Sequence, residues 1–476
     1  MRKSIKINAF LNMIKQVMQI IFPIITIPYI TRVLLPENFG RINTGNSLIS
    51  YISLIAGLGI STYAVREGSL VRENKDELNR FSNQVFSINI ISTIFAYFIL
   101  IGLLLFVPHY TEYRFLLVIQ GASVIFTTLG ADWINSIEED YLYLTIRYII
   151  LHLISIILMF LLVKKPEDYY IYAAISLFTS ACANIMNIFY IRRYVTLRFT
   201  SSIDWEKHLA PIMILFGNAV AMIIYVNSDI TMLEIFKGAA EVGIYSVATK
   251  IYSIVKQLLN AVLVVSIPQM TAYIGNNDKE GFSDLGKKIF GALITLMSPL
   301  VFGIIVFRTE AITLAGGSEY ISGTSSLLVL VLAVTAALPA TFFSGCVLIP
   351  LRKEKYILKG TSISALINVG LNFIFIPLMG GNGAAVTTLI SEVFVAVYFW
   401  NIAKAEGYQF LDKRVLLLSL TGGLLIALLC IIIKNSINCF TAYFCLSIAC
   451  SGFVYIMIQI IGGNRIMLEF ISSLRR

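Results

Sequence analysis

Two lysines, Lys250 and Lys256, lie within residues 244–267, a segment that otherwise has the length and apolarity of a membrane span. At about 100° per residue, the polar side chains of this segment occupy roughly 120° of one helix face. We call this face the polar stripe; its members are Ser246, Thr249, Lys250, Ser253, Lys256, Gln257 and Asn260. A lysine at the bilayer centre costs about 2.5–3.5 kcal/mol. The stripe therefore predicts a wet, positively charged surface inside a helix bundle, unless acids on a neighbouring helix neutralise both lysines.

Other apolar segments carry polar faces of the same kind. One face of the first segment, at residues 7–31, holds Asn8, Asn12, Lys15 and Gln19, and one face of residues 210–236 holds Asn218, Tyr225 and Asp229. Together these faces predict polar surfaces that face the interior of a helix bundle.

The elements that position these residues follow from composition. Of 476 residues, 58% are hydrophobic and only 13% are charged, against about 25% charged in soluble domains. Apolar segments near 20 residues recur, the length that crosses a ~30 Å hydrocarbon core. We predict an all-α polytopic membrane protein with about fourteen spans, at residues 7–31, 42–63, 82–107, 115–135, 147–163, 169–190, 210–236, 244–267, 289–307, 325–346, 359–378, 383–402, 415–433 and 441–462.

Lysine and arginine are concentrated in alternate loops. This bias predicts a multi-pass protein with both termini in the cytoplasm. The net charge of +9 lies in short loops between apolar segments, so no nucleic-acid partner is expected.

No classical enzyme motif is visible. The six cysteines lie in or beside spans without metal-ligand spacing, and the three histidines are far apart. No P-loop, zinc motif or Ser-His-Asp order occurs. We therefore expect no catalytic residues, no metal and no cofactor.

The chain resembles itself after a shift of 203 residues. Gly40 falls on Gly243, and the polar face of residues 42–63 falls on the polar stripe, with Ser47 on Lys250 and Ser53 on Lys256. Such a parallel repeat predicts a pseudo-two-fold axis along the membrane normal. The predicted domains are an N-terminal six-helix lobe (1–205), a C-terminal six-helix lobe (206–405) and two additional spans (406–476). Facing polar stripes would enclose a central cationic cavity, and rocking of the lobes would give alternating access.

Four segments resemble a known family, the Wzx-like lipid-linked oligosaccharide (polysaccharide) flippases. TRVLLPENFG (residues 31–40) resembles the family's first outer loop, and ISLIAGLGI (52–60) resembles the end of its second span. DWINSIEEDYLYLTIR (132–147) resembles its loop between spans 4 and 5, and EVGIYSVATKIYSIV (241–255) resembles its eighth span. The family belongs to the multidrug/oligosaccharidyl-lipid/polysaccharide exporter superfamily, together with MATE drug exporters and lipid II flippases. The resemblance covers the chain to about residue 405 and implies a MATE-like fold.

The resemblance also implies a function. Such proteins move undecaprenyl-pyrophosphate-linked oligosaccharide repeat units across the bacterial cytoplasmic (inner or plasma) membrane for cell-surface polysaccharide biosynthesis. The implied partners are that substrate and membrane lipids, with polysaccharide polymerase and glycosyltransferases as further candidates. A monomer is expected, with coupling to a H+ or Na+ gradient as an open question.

The site residues are predicted from stripe geometry and not from the family. Lys15, Lys250 and Lys256 are the candidates for the pyrophosphate. Amides and hydroxyls are the candidates for the sugars, namely Asn12, Gln19, Asn43, Asn46, Asn218, Thr249, Gln257 and Asn260. Asp229 and Glu392 are ion-coupling candidates, although each would equally serve to neutralise a lysine. We expect Glu234 and the acidic turn at residues 138–140 to be solvated.

Two other functions remain open. An ion-coupled drug or metabolite antiporter of the same superfamily would favour a carboxylate-lined cavity for cations, whereas the stripes here contain lysine. A membrane polysaccharide polymerase or glycosyltransferase would need a sizeable outer loop. The longest outer loop predicted here, residues 308–323, is too short for that role.

Overall fold

The protein is all-helical, as a computed structural model shows for residues 5–464, 467 and 468; for residues 5–10, 12 and 441 it describes the backbone alone. No strand occurs among these residues. The helices are α1 (Ile5–Gly57), α2 (Ile60–Val71), α3 (Lys75–Phe106), α4 (Arg114–Gly130), α5 (Trp133–Ile137), α6 (Tyr141–Leu162), α7 (Tyr169–Tyr190), α8 (Trp205–Lys237), α9 (Ala239–Gly275), α10 (Lys279–Val306), α11 (Arg308–Gly316), α12 (Thr324–Phe342), α13 (Glu354–Met379), α14 (Gly381–Ala405), α15 (Lys413–Ser436) and α16 (Phe440–Ile461).

The predicted spans are present. Within the described residues, twelve helical segments are long and apolar enough to cross a membrane. One of them, Met13–Val71, contains two of the predicted spans, and the shorter apolar helix Arg114–Gly130 corresponds to a further one. The structure thereby confirms an all-α polytopic membrane protein with about fourteen spans.

A break in α1 separates the first two spans. Leu35 has φ 62° and ψ 169°, far from helical values, and Pro36 follows it. Proline lacks the N–H that a continuous helix needs and disfavours helical geometry in the residue before it. The break thus follows from the sequence Leu35-Pro36, within the first outer loop that the sequence predicts.

The chain divides into two compact units. Unit 1 comprises residues 1–246 and 315–319. In it α1 packs against α3, α4, α6 and α8, while α7 packs against α4 and α6. A buried apolar cluster holds α2, α3 and α5 together, with Tyr63, Phe81 and Trp133 among its large side chains. These contacts fix the helices that carry Lys15 and the motif at residues 132–147.

Unit 2 comprises residues 247–314 and 320–476. In it α14 packs against α12 and α13, while α15 packs against α10 and α16. Asp412 caps the first turn of α15 by accepting hydrogen bonds from two backbone N–H groups, which fixes where that helix begins. The compact units are a different division of the chain from the predicted lobes, and the lobes stay a prediction.

Two glycines that the 203-residue shift relates lie against each other within unit 1. A Cβ on Gly40 would lie 2.6 Å from the carbonyl carbon of Ala239, and a Cβ on Gly243 would lie 2.8 Å from that of Pro36. The same shift carries Pro36 onto Ala239, so the contact is reciprocal. Reciprocal contacts are the signature of a two-fold relation between copies, which agrees with the predicted repeat.

Candidate substrate site

The polar stripe lies on α9, and its two lysines have different surroundings. Lys250 is exposed, and no carboxylate of the described residues forms a salt bridge with it. Lys256 is half-buried, and its Nζ lies 2.8 Å from Glu392 Oε1 on α14. The stripe therefore contains one lysine with a carboxylate partner and one without.

The Lys256–Glu392 pair is completed by Tyr252, one helical turn before Lys256. Tyr252 donates a hydrogen bond of 3.0 Å to Glu392 Oε1, and Lys256 Nζ lies 3.4 Å from the Tyr252 hydroxyl. The carboxylate is 5% exposed, against 32% for the lysine. A buried carboxylate is stable as an ion only with such partners. Glu392 thus neutralises Lys256 in this structure. This is the alternative role that the sequence analysis gave Glu392, namely to neutralise a lysine.

Lys15 lines a cavity of about 430 Å³ within unit 1, between α1, α6 and α7. We call it the small cavity. The Nζ of Lys15 lies 6.0 Å from the centre of the Tyr148 ring. The remaining wall contains aliphatic side chains together with hydroxyl and aromatic groups, among them Thr179, Ser180 and His152. A cation, hydroxyls and rings in one cavity suit an anionic, hydroxyl-rich ligand.

The two ends of the DWINSIEEDYLYLTIR segment meet in the small cavity. Arg147 Nη2 donates to Asp132 Oδ2 at 2.6 Å, and Arg147 Nη1 donates to the Ala183 carbonyl at 3.0 Å. The arginine is 6% exposed and the aspartate 48% exposed. Sequence reasoning placed Asp132 in the fourth predicted span and Arg147 at the start of the fifth, and missed both as site residues. The signal was their position at the two ends of the segment that resembles the family's loop between spans 4 and 5.

A second cavity of about 860 Å³ lies within unit 1, lined by parts of α1, α3, α4 and α8. We call it the large cavity. Asn46 lines it and accepts a 3.0 Å hydrogen bond from Gln120. Asp132 and Asn184 line both cavities. The predicted sugar candidate Asn46 and the predicted cation Lys15 therefore belong to neighbouring cavities that share two residues.

The remaining candidates for sugar binding differ in accessibility. Asn43 is buried and donates to the Phe39 carbonyl of its own helix at 2.7 Å. The others described are exposed or half-buried, namely Gln19, Asn218, Thr249, Gln257 and Asn260. The Asn12 side chain lies outside the described residues. Sugar binding by any of them stays a prediction.

Two acidic residues in the C-terminal part of α8 are buried. Asp229 accepts a 2.9 Å hydrogen bond from the Tyr245 hydroxyl. Glu234 is 4% exposed, accepts hydrogen bonds from Thr44 and Tyr113, and lies 3.7 Å from His109 Nε2. The expectation that Glu234 is solvated was wrong, because neighbouring helices of unit 1 cover the end of α8.

The acidic turn after α5 is also only partly solvated. Asp140 is buried and accepts hydrogen bonds from Tyr190, Arg193 and Tyr194. Burial raises the pKa of the half-buried Glu138. The expectation of a solvated turn was wrong for Asp140, which joins the start of α6 to the end of α7.

Known proteins match this chain in sequence over most of its length. The family described as "Polysaccharide biosynthesis protein" matches residues 5–274. A protein of Shigella dysenteriae described as an O-antigen transporter is 24% identical over 398 residues, which cover 81% of this chain and 96% of that protein. A protein of the same description from Escherichia coli (strain K12) is 22% identical over 403 residues, covering 82% and 95%.

Solved structures share the fold. The lipid II flippase MurJ, in an inward closed conformation, superposes with a TM-score of 0.75 at 16% identity and covers 99% of this chain and 100% of that one. An inward-facing multidrug resistance MATE family transporter superposes with a TM-score of 0.56 at 13% identity, covering 81% and 98%. These likenesses establish the MATE-like fold that the sequence predicted.

Proposed function

Because the chain belongs to the family of polysaccharide biosynthesis proteins, we propose that it is a flippase for lipid-linked oligosaccharides. Its substrate is an undecaprenyl-pyrophosphate-linked repeat unit for cell-surface polysaccharide. The O-antigen transporters that it resembles over nearly their full length support this function. The protein acts as a carrier in the bacterial cytoplasmic membrane and not as an enzyme.

The observation that carries the proposal is the presence of cations on apolar spans, two of which line a cavity within unit 1. Lys15 and Arg147 line the small cavity, and Lys250 is exposed on α9 without a described salt bridge. A charge within a span costs several kcal/mol and marks a functional position by default. A pyrophosphate repays this cost, since its charge is negative and its oxygens accept several hydrogen bonds.

The chemistry of the substrate assigns roles to these groups. The ammonium and guanidinium groups bind the pyrophosphate, and the amides and hydroxyls of the two cavities bind the sugars. The isoprenoid tail stays in lipid, where it needs no polar partner. A drug antiporter for cationic compounds would gain nothing from these lysines.

Ion coupling is part of the proposal. Glu392 is the first candidate for the coupling residue, because its carboxylate forms an ion pair with Lys256. Protonation of Glu392 would release Lys256 for the pyrophosphate, which links a proton to substrate binding. Asp229 is the second candidate, and Na+ is the alternative ion. We also propose that the protein works as a monomer with both termini in the cytoplasm. Contact with a polymerase or glycosyltransferases is a further proposal.

Export in a strain that lacks its polysaccharide flippase tests the function. We expect the wild-type protein to restore surface polymer and Lys250→Ala to lose it at equal membrane abundance. Lys250→Arg should retain export, because it keeps the charge. Lys287→Ala is the matched control, since Lys287 is exposed in the first half of α10.

Lys256 needs a paired design because its removal leaves Glu392 as a buried, unpaired charge. Lys256→Gln is therefore combined with Glu392→Gln, which keeps the site neutral. Loss of export by this double variant at normal abundance would support a role of the Lys256–Glu392 pair in substrate binding or ion coupling. Normal export by both Lys250→Ala and the double variant would refute the proposed cationic site. If the wild-type protein fails with matched glycans but exports cationic drugs, the function is that of an antiporter.

A further inference from the structure

The small cavity contains a buried cation with a replaceable partner. Arg147 is 6% exposed and is held on two sides, by the Ala183 carbonyl and by Asp132. Lys15 lines the same cavity, so two cations share it with one carboxylate. Asp132 is the only acidic residue that lines either cavity among the residues that the structure describes.

The two members of the ion pair differ in what they lose on separation. Asp132 is 48% exposed and lines both cavities, so its carboxylate regains water when it leaves the arginine. Arg147 is enclosed, so its guanidinium needs another anion in place of the carboxylate. The hydrogen bond to Ala183 fixes the guanidinium plane independently of Asp132. The arrangement thus favours exchange of one anion for another at Arg147.

We propose that Arg147 and Lys15 form a phosphate-binding subsite, and that Asp132 is the internal anion that a substrate phosphate displaces. The inference rests on the proposed function and deepens it, because it assigns the lipid pyrophosphate to the small cavity of unit 1. Arginine suits this task, since its planar donors bind phosphate oxygens in pairs. Asp132 acts as a competitor that keeps Arg147 neutralised while no substrate is bound.

A purely structural ion pair is the competing explanation. Asp132 precedes α5 and Arg147 lies on α6, so their bond also ties two helices together. In that case Asp132→Asn would weaken the fold and would not improve ligand binding. The exchange hypothesis requires the opposite effect on binding.

Calorimetric titration of the purified full-length protein in detergent separates these explanations. The probe is farnesyl pyrophosphate, with farnesol and inorganic pyrophosphate as separate ligands for tail and headgroup. We expect Asp132→Asn to tighten farnesyl pyrophosphate binding about fivefold, because a half-exposed carboxylate competes only moderately. Arg147→Gln should weaken it about tenfold or more, because charge-assisted hydrogen bonds are lost. Arg192→Gln, at an exposed arginine outside both cavities, should leave affinity unchanged.

The double variant Asp132→Asn/Arg147→Gln distinguishes folding from binding. It removes both charges, so a structural role predicts normal thermal stability and normal binding. The exchange hypothesis predicts that binding stays as weak as in Arg147→Gln. Affinity that is equal in the wild type, Asp132→Asn and Arg147→Gln would overturn the proposal, and so would equal binding of farnesol.

Export measured on the same variants tests the flippase function separately from the phosphate-binding subsite. If the wild type restores polymer while farnesyl pyrophosphate binding ignores Arg147, the subsite is wrong and the flippase function stands. If binding depends on Arg147 but no matched glycan is exported, the subsite stands as an anion site and the flippase function fails.

Discussion

Replacing Gly40 by alanine tests the reciprocal contact between α1 and the start of α9. A Cβ at this position would collide with the carbonyl oxygen of Ala239 and would lie 2.6 Å from its carbonyl carbon, where ordinary contact begins at 3.4 Å. The carbon alone would require the backbones to separate by about 0.8 Å, and the oxygen requires more. The opposing atoms belong to the backbone and cannot rotate away. We therefore expect the upper end of the usual cost of overpacking, about 3 kcal/mol.

Alanine also favours a helix over glycine by about 1 kcal/mol, which leaves a net loss near 2 kcal/mol for Gly40→Ala. Gly217→Ala is the matched control, because Gly217 lies within α8 and an added Cβ there meets nothing within 4 Å. The control should be neutral or slightly stabilising. Unfolding of the purified proteins by SDS titration measures both changes under the same conditions.

Because the contact is reciprocal, the second glycine provides a stricter test of it. Gly243→Ala should cost about as much as Gly40→Ala, since its Cβ would lie 2.8 Å from the Pro36 carbonyl carbon. The double variant should cost less than the sum, because one separation of the helices accommodates both methyl groups. Strict additivity, or a stability of Gly40→Ala equal to that of Gly217→Ala, would refute the reasoning.

Three further predictions concern acidic side chains of unit 1 and use thermal unfolding of the purified protein. Asp140→Asn should destabilise by about 1–3 kcal/mol, because the buried acceptor of Arg193 and two tyrosines loses its charge; an unchanged midpoint would contradict the buried cluster. Glu138→Gln should stabilise the protein at pH 7 and have no effect at pH 4: burial raises the pKa of Glu138, so the wild type loses stability as pH rises from the ordinary value of 4.5 through the raised one. Equal effects at both pH values would argue against that. Glu234→Gln should lower stability, because Tyr113 then donates to an amide and no longer to a carboxylate; a midpoint at or above that of the wild type would contradict a stabilising hydrogen bond between Tyr113 and Glu234.

The sequence predicts spans well because a bilayer imposes simple rules. A span needs about twenty apolar residues, and each backbone group within it must bond internally. The break at Leu35 could also be predicted from the sequence, because Pro36 interrupts the apolar pattern at a predicted loop. Such features depend on local sequence, so one chain suffices to find them.

Contacts between segments that are distant in the sequence were harder to predict. Glu234 was expected in water because it lies near a span end, yet Thr44 and Tyr113 cover it from segments over a hundred residues away. The ion pair of Asp132 and Arg147 was missed for the same reason, since α5 and a turn separate the two residues. Position in a span predicts depth in the membrane, whereas the partner of a side chain depends on helix packing.

The predicted repeat relates helix positions whose side chains differ in charge. The shift that pairs Gly40 with Gly243 also carries Ser47 onto Lys250, so equivalent helix positions hold different chemistry. Ser47 is buried and lies within 3.2 Å of the Asn227 carbonyl and the Thr231 hydroxyl on α8, whereas Lys250 is exposed. In unit 1 the cations come instead from the first span and α6, as Lys15 and Arg147. A lipid pyrophosphate with its sugars on one side and its tail on the other is itself asymmetric, so divergence between the copies of the predicted repeat suits such a ligand.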